Sequence, residues 1–154
     1  MNIEKLKESL TLGEGRKLAA YLDTEGILTV GIGHNCKADP VLGVEKVGDT
    51  ITPECCHELF ERDIQEKAID ELDRELKWWR DLDDVRQNVM VELCFNMGIN
   101  TLLTFVNTLH AIETGNYPLA ADGMRRSRWA RQVGQRAVRL EQMMASGKWQ
   151  GILD

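Results

Sequence analysis

The chain has 154 residues, of which 43% are hydrophobic and 29% are charged, and its formal net charge at pH 7 is −6. This balance excludes a disordered chain, and the length allows one core rather than two independent domains of ordinary size. The negative net charge argues against general nucleic-acid binding, which requires a positively charged surface.

The N-terminal segment predicts a short helix and no export signal. Apolar side chains at Ile3, Leu6 and Leu10 are spaced three and four residues apart, which is typical of an amphipathic helix over about 1–12. Charged residues interrupt the segment where a signal peptide would be apolar, and no window reaches the ~18 apolar residues of a membrane-spanning helix. We therefore expect a soluble chain made in the cytoplasm without a membrane anchor.

Residues 18–34 have the pattern of a β-hairpin. Two β-rich runs, 20–22 and 27–32, flank a four-residue turn that begins at Asp23 and ends at Gly26. No other segment indicates β-structure as clearly. We expect a small lobe over about 13–52 that contains this hairpin.

A long helix is predicted to follow the small lobe. Thr52 has the properties of an N-cap, and Pro53 suits the first helical position. An apolar stripe then continues at helical spacing to about Trp78. A helix over about 53–78 is long enough to connect two lobes.

The rest of the chain is helical in pattern. Apolar residues at helical spacing predict a helix from about Leu82 to Gly98, and shorter helices are predicted over 103–113, 117–124, 127–132 and 135–146. With the helix over 1–12, they would form a helical lobe over about 80–154. The predicted fold class is α+β: one mostly helical domain over 1–154, with a small β-hairpin lobe joined by a long helix to a larger all-helical lobe.

The cysteine spacing predicts neither disulfides nor a metal site. There is no C-x-x-C pair, and the three histidines do not supply zinc-finger spacing. We expect reduced, mostly buried thiols at Cys36, Cys55, Cys56 and Cys94. Nothing in the sequence calls for a cofactor.

The charge is divided unevenly along the chain. Residues 54–84 carry twelve acidic and five basic side chains, a net charge of −7, which is typical of a solvated helix face. Residues 123–150 carry a net charge of +6, nearly all of it from arginines, which suit planar recognition of carboxylates.

Two carboxylates in the N-terminal part are candidates for catalysis. Glu14 lies where the first helix is expected to stop, and Asp23 lies at the start of the hairpin turn. Glycoside hydrolysis uses such a pair: one carboxyl group protonates the leaving oxygen, and the other activates water or attacks the sugar. Because glutamates near helix ends and Asp-x-x-Gly turns are common, the spacing alone leaves this assignment open.

A longer motif narrows the choice. Residues 14–34 match the pattern E-G-x(5)-Y-x-D-x-x-G-x-x-T-x-G-x-G-H, which resembles the signature of the phage-type lysozymes, the muramidase endolysins of glycoside hydrolase family 24. Further matches cover most of the chain: Asn96-Met97-Gly98, Phe105-x-Asn107-Thr108-Leu109, Ser127-Arg128-Trp129 and Gln135-Arg136-Ala137-x-Arg139.

The resemblance implies a catalytic assignment. Glu14 would be the general acid, and Asp23 would position the attacking water with help from the Thr29 hydroxyl. The reaction would be inverting, with the carboxyl groups roughly 6.5–9.5 Å apart. The substrate would be the β-1,4 bond between N-acetylmuramic acid and N-acetylglucosamine in bacterial peptidoglycan.

The resemblance also implies roles for five other residues. Asn35, Phe95 and Thr108 would contact substrate, with Asn96 beside them at the cleft, although Phe95 also suits the core and Thr108 also suits an ordinary helix position. Arg136 would lie near the general acid and hold its position. We expect His34 to be a hydrogen-bonded structural residue rather than a catalytic group or metal ligand.

The chain also departs from the family pattern. It is about ten residues shorter between His34 and Ile51 than the best-known members, and Gly13 stands where an acid can occur. Without the N-terminal anchor of some relatives, we expect a monomeric endolysin, held in the host cytoplasm until a holin opens the membrane to the cell wall. A lytic transglycosylase, or a non-catalytic peptidoglycan-binding module, is the alternative.

Overall fold

The computed structural model describes residues 1–151; residues 152–154, the end of the predicted helical lobe, lie outside the described residues. The α+β prediction is confirmed, because helices dominate and the strands form one small antiparallel sheet. Among the described residues, no helix combines the length and apolar character needed to cross a membrane.

Helix α1 covers Ile3–Glu14, so the candidate acid is its last residue. The Asn2 side chain caps the helix by accepting a hydrogen bond from the Lys5 amide. The helix runs two residues past the predicted end because Gly13 keeps a helical backbone. Gly15 stops it with a φ of 74°, a conformation that favours glycine.

The sheet follows α1 and consists of strands β1 (Lys17–Leu22), β2 (Leu28–Gly31) and β3 (His34–Asn35) in the order β1-β2-β3. Both pairings are antiparallel, and Thr29 on β2 lies opposite Tyr21 on one side and Asn35 on the other. The hairpin is as predicted. The two-residue strand β3 has too short a pattern to predict separately.

The inter-lobe helix is continuous over 53–75 but contains three segments: α2 (Pro53–Ile64), a π-helical stretch (Gln65–Ile69) and α3 (Asp70–Glu75). Thr52 caps its start by accepting from the Cys55 amide at 3.0 Å. It ends slightly before the predicted Trp78, because Leu76 leaves the helical region and a 3₁₀ turn follows over Lys77–Asp81.

The helical lobe contains α4 (Asp84–Met97), α5 (Ile99–Leu103), α6 (Val106–Glu113), α7 (Tyr117–Arg125), α8 (Arg128–Val133) and α9 (Gln135–Ser146). The helix predicted over 103–113 is therefore wrong at its start. Thr104 and Phe105 form tight i→i+3 turns that separate α5 from α6. The apolar spacing continues across this break, so it does not reveal it.

Two clusters of buried side chains form the core. The larger one lies between α1, the inter-lobe helix and the helical lobe, with Trp79 and Met90 fully buried inside it. The smaller one packs under the sheet around Val30 and Leu59. The four cysteines are free; Cys55 is half-buried and the others are buried, as predicted for reduced thiols.

Candidate active site

Glu14 lies at the junction of the two lobes, with 16% of its side chain exposed. Its Oε1 atom accepts two hydrogen bonds, one from Asn96 Nδ2 on α4 and one from Arg136 Nη1 on α9, both at 3.1 Å. The helical lobe thus holds one oxygen of this carboxyl group from two directions.

The other oxygen of Glu14 faces the small lobe. A Cβ atom added at Gly33 would lie 2.7 Å from Glu14 Oε2, so the Glu14 carboxyl group would have to move to admit any side chain there. Gly33 also has a φ of 65°, in the region that favours glycine. The positive φ and the close approach to Glu14 therefore both favour glycine at this position.

A buried tryptophan fixes the orientation of Asn96. The indole nitrogen of Trp129, on α8, donates to Asn96 Oδ1 at 2.6 Å. Because an indole N–H can only donate, the amide oxygen must face Trp129 and the amide nitrogen must face Glu14. The structure brings Asn96, predicted at the cleft, into direct contact with the candidate acid.

Arg136 joins two parts of the α1 C-terminus. Besides its bond to Glu14, it donates through Nη2 to the Gly13 carbonyl. Its Nε atom is buried and has no hydrogen-bond partner among the described residues. The placement beside Glu14 matches the sequence-based expectation, and the bond to Gly13 explains how the arginine holds its position.

Asp23 starts the hairpin turn and holds it with its side chain. Its Oδ1 atom accepts from the amides of Glu25 at 2.8 Å and Ile27 at 2.9 Å. Within residues 1–151 the structure shows no hydrogen bond to Oδ2. One oxygen therefore shapes the turn, and the other remains available to a water molecule.

The Tyr21 phenol is affected by the charges of both candidate carboxylates. Burial raises the pKa of its phenol, and the negative charges of Glu14 and Asp23 raise it further, while Arg136 acts in the opposite direction. Tyr21 thus lies within the electrostatic influence of both candidate catalytic groups. Directly opposite it in the sheet, the buried Thr29 hydroxyl donates to the Ile27 carbonyl at 2.8 Å.

The other predicted substrate residues make structural contacts. Asn35 caps a turn by accepting from the amides of residues 37 and 38, and Phe95 packs edge-on against Phe60 with ring centroids 6.2 Å apart. Thr108 is buried, and its hydroxyl occupies the space that a side chain at Gly123 would need. A role in substrate binding for these three residues stays a prediction.

His34 is buried in an ion-pair cluster that ties β3 to α2. Its Nδ1 atom lies 2.6 Å from Asp63 Oδ2, and its Nε2 atom donates to the Asp39 carbonyl at 2.9 Å. Lys67 pairs with Asp63, and Arg62 pairs with the Asp39 carboxylate. Both ring nitrogens already have protein partners, so the geometry favours a structural histidine over a metal ligand.

Several residues around the site were missed by sequence reasoning. Gly33 and Trp129 belong to the motifs quoted above, but the motifs do not reveal what these residues contact. A buried polar group around Glu92, next to Arg136, was missed entirely. Its one sequence signal is a row of polar residues at four-residue spacing on α4: Asn88, Glu92 and Asn96.

Comparison with known proteins agrees with the motif. The family model for phage lysozyme matches residues 12–143. The chain is 30% identical to "Probable T4-type lysozyme 1" of Dictyostelium discoideum, over 94% of this chain and 96% of that protein. It is 35% identical to "Endolysin" of Salmonella phage P22 over 71% of this chain and 70% of that protein. A third match, "Pre-baseplate central spike protein Gp5" of Enterobacteria phage T4, is 30% identical over 92% of this chain but only 28% of that longer protein.

Proposed function

Because this chain belongs to the phage lysozyme family of glycoside hydrolases, we propose that Glu14 is the general acid of a muramidase. Membership of this family supports the general activity, which is hydrolysis of peptidoglycan by a lysozyme-like enzyme. The proposed bond is the β-1,4 linkage between N-acetylmuramic acid and N-acetylglucosamine. The observation that carries the proposal is the asymmetric environment of the Glu14 carboxyl group.

The two oxygens of Glu14 are suited to different tasks. Oε1 already accepts from Asn96 and Arg136, so a proton on the carboxyl group belongs on Oε2. Oε2 faces Gly33, where an added side chain would collide with the carboxyl group. A general acid requires a fixed carboxyl group with a second oxygen that can carry the proton, and the two hydrogen bonds to Oε1 support that role.

Asp23 and Thr29 are proposed to position the attacking water. The free Oδ2 atom of Asp23 can accept a hydrogen bond from water, while Oδ1 keeps the carboxylate in place through the turn. The Thr29 hydroxyl donates its proton to the Ile27 carbonyl, so its oxygen can accept a hydrogen bond from the same water. Water held opposite the leaving group would give inversion. Asp23→Asn should fold normally and hydrolyse the wall more slowly.

The decisive test replaces the candidate acid by its neutral isostere. We expect Glu14→Gln to lose about 10²–10⁴-fold of the rate of wall clearing, the usual contribution of a general acid, with an unchanged circular-dichroism spectrum. Glu25→Gln is the matched control, because Glu25 is an exposed glutamate on the neighbouring turn. Wild-type activity in the Glu14→Gln variant would refute the assignment.

Analysis of the products separates hydrolysis from the transglycosylase alternative. A lytic transglycosylase uses one acid and forms an anhydromuramyl end without water, whereas this site presents a second carboxylate and a hydroxyl that can hold water. Mass spectrometry of digested wall should show hydrated reducing ends. Family membership supports an enzyme over a non-catalytic binding module.

The proposed biological role is lysis of a bacterial host. The P22 relative is named an endolysin, and a wall hydrolase made in the host cytoplasm would need a holin to reach its substrate. When the protein alone is expressed in a bacterial host, we expect intact cells that lyse only after the membrane is permeabilised. Lysis without permeabilisation would contradict the holin requirement. Elution from a sizing column at the monomer mass of 17.5 kDa would support the expected monomer.

A further inference from the structure

Behind the candidate acid, three helices meet in a layer of polar side chains that continues into the core. Helix α4 contributes Glu92 and Asn96, which are one turn apart, and α9 contributes Arg136 and Arg139, also one turn apart. Asn96 and Arg136 bond to Glu14. Glu92 and Arg139 form a second, deeper acid–arginine pair, with Glu92 Oε1 3.1 Å from Arg139 Nη2.

The deeper pair is enclosed by the protein. Glu92 is 2% exposed, and Ser9 and Asn88 beside it are fully buried. Both neighbours donate to Glu92 Oε2, and Arg139 also donates to the hydroxyl of Ser9 at 2.6 Å and to its carbonyl at 3.0 Å. Every neighbour of the carboxyl group is thus a donor, which is the pattern expected around an ionised carboxylate.

Stability alone does not account for this pair. Removing two charges from water is costly, and well-packed apolar side chains often replace buried ion pairs without loss. Burial raises the pKa of Glu92 above its ordinary value, and the charge of Arg139 and the hydrogen bonds from Ser9 and Asn88 offset only part of that shift. A charge kept at this cost calls for an explanation outside the core.

Gly13 shows how the two pairs are connected. A Cβ atom added there would lie 3.0 Å from Arg136 Nε and 3.4 Å from Arg139 Nη2, so the two guanidinium groups border the same small space. Arg136 is matched by Glu14, and Arg139 is matched by Glu92. When Glu14 carries its proton, Glu92 is the remaining anion within residues 1–151 that pairs with either arginine.

We propose that Glu92 is a positioning residue for the reaction. Its carboxylate holds Arg139 in place and balances the charge of that guanidinium group. Arg136 is then the one cation of the pair whose charge is unbalanced beside protonated Glu14. This rests on the proposed role of Glu14 as general acid. Without the Glu92 charge, two arginines would favour the ionised, inactive form of Glu14. Among the described residues, Tyr21 also lies within the electrostatic influence of Glu14 and of Asp23, and both groups are unchanged in this comparison.

The test is the pH dependence of activity in Glu92→Gln. Glu14 should lose its proton at lower pH, so we expect the alkaline limb of the pH–activity profile to move down by roughly half a pH unit. Activity should recover as the pH is lowered. Asp73→Asn is the matched control, because it also removes one negative charge but its partners lie within residues 73–80. If Glu92→Gln were less stable than the wild type but its alkaline limb did not move, the proposal would be overturned.

A second variant, which leaves the buried Glu92 carboxylate in place, should move the alkaline limb in the opposite direction. Gly13→Asp places an anion between the two guanidinium groups, where the buried Arg136 Nε lacks an acceptor. The alkaline limb should then move to higher pH; an unmoved or lowered limb would also overturn the proposal. If Glu92→Gln does not fold, an unmoved limb in Gly13→Asp still shows that charge at the two guanidinium groups does not act on Glu14.

A direct titration separates this proposal from the proposed function. Carbon NMR of the Glu14 carboxyl group reports its protonation whether or not the group is catalytic. We expect its midpoint to move down in Glu92→Gln and up in Gly13→Asp. Activity retained in Glu14→Gln would refute the general acid alone, whereas unmoved midpoints would refute the role of Glu92 alone.

Discussion

At Glu14 the two lobes act on different oxygens of one carboxyl group. The helical lobe holds Oε1 through Asn96 and Arg136, and in the small lobe Gly33 approaches Oε2 closely. The hydrogen bonds to the carboxyl group thus come from the helical lobe, while the small lobe limits the space around its second oxygen.

Gly33→Ala is expected to impair both stability and activity. The positive φ should lower the free energy of unfolding by about 1–2 kcal/mol. The added methyl group must also displace Glu14 Oε2, and a misplacement near 1 Å can cost about 10²-fold in rate. Urea unfolding and wall-clearing assays measure the two effects.

Gly43→Ala is the control for this prediction. Gly43 also has a positive φ, 88°, but a Cβ atom there would meet nothing within 4 Å. It should lose similar stability and keep full activity. If Gly33→Ala were as active as Gly43→Ala, the close contact with Glu14 would be irrelevant to catalysis.

Sequence reasoning at this scale found the residues that lie in motifs and missed those that meet only in space. Residues 14–34 are contiguous, so the resemblance identifies Glu14, Asp23 and Thr29 as a set. Ser9, Glu92 and Arg139 come from three helices far apart in the chain. Arg139 belongs to a motif, but the motif does not show what it contacts, and the meeting of the three side chains depends on how the helices pack.

The helices show the same division between local and non-local information. The start of the inter-lobe helix is predicted correctly because its cap is local: Thr52 accepts from Cys55, and proline follows at the first position. The π-helical stretch depends instead on tertiary packing. There the buried Cys94 thiol donates to the Lys67 carbonyl at 3.4 Å from a different helix.

The end of the inter-lobe helix should respond to acid. Asp73 accepts from Trp79 and twice from Arg80, and the hydrogen bonds from Arg80 hold the pKa of Asp73 below its ordinary value. A lowered carboxyl pKa stabilises the folded state above the unfolded pKa, near 4, and this contribution disappears as the pH falls through the folded value.

Asp73→Asn should therefore be less stable than the wild type at pH 7, by about 1 kcal/mol or less because the pair is partly exposed. The difference should shrink as the pH is lowered below about 4. Urea unfolding at a series of pH values measures it. A difference that stayed constant to pH 2 would show that the ionised form of Asp73 contributes nothing.

For the molecule as a whole, net charge is a poor guide to the partner. The net charge of −6 combines a net −7 over residues 54–84 with a net +6 over residues 123–150. Several arginines of the basic segment are engaged within the protein: Arg125 and Arg126 share Asp122, Arg136 pairs with Glu14, and Arg139 pairs with Glu92. These three acids balance half of the segment's net charge of +6, which weakens long-range attraction to an anionic cell wall.

Lysis should consequently depend weakly on salt. Screening reduces attraction between a cationic enzyme and an anionic wall, and this chain has little such attraction to lose. We expect turbidity assays at increasing ionic strength to show a shallower fall than for a strongly basic lysozyme assayed in parallel. A fall as steep as that of the basic enzyme would point to a positive surface that dominates binding.

The cysteines give this molecule a natural attachment point for a spectroscopic label. Burial raises the pKa of Cys94 to about 12 and also raises that of Cys36, so these thiols are almost never in the reactive thiolate form at neutral pH. Cys56 is 1% exposed, and Cys55 alone of the four is half-buried. A maleimide dye should couple first at Cys55, in the first turn of the inter-lobe helix, and so report the relative motion of the lobes without engineered cysteines.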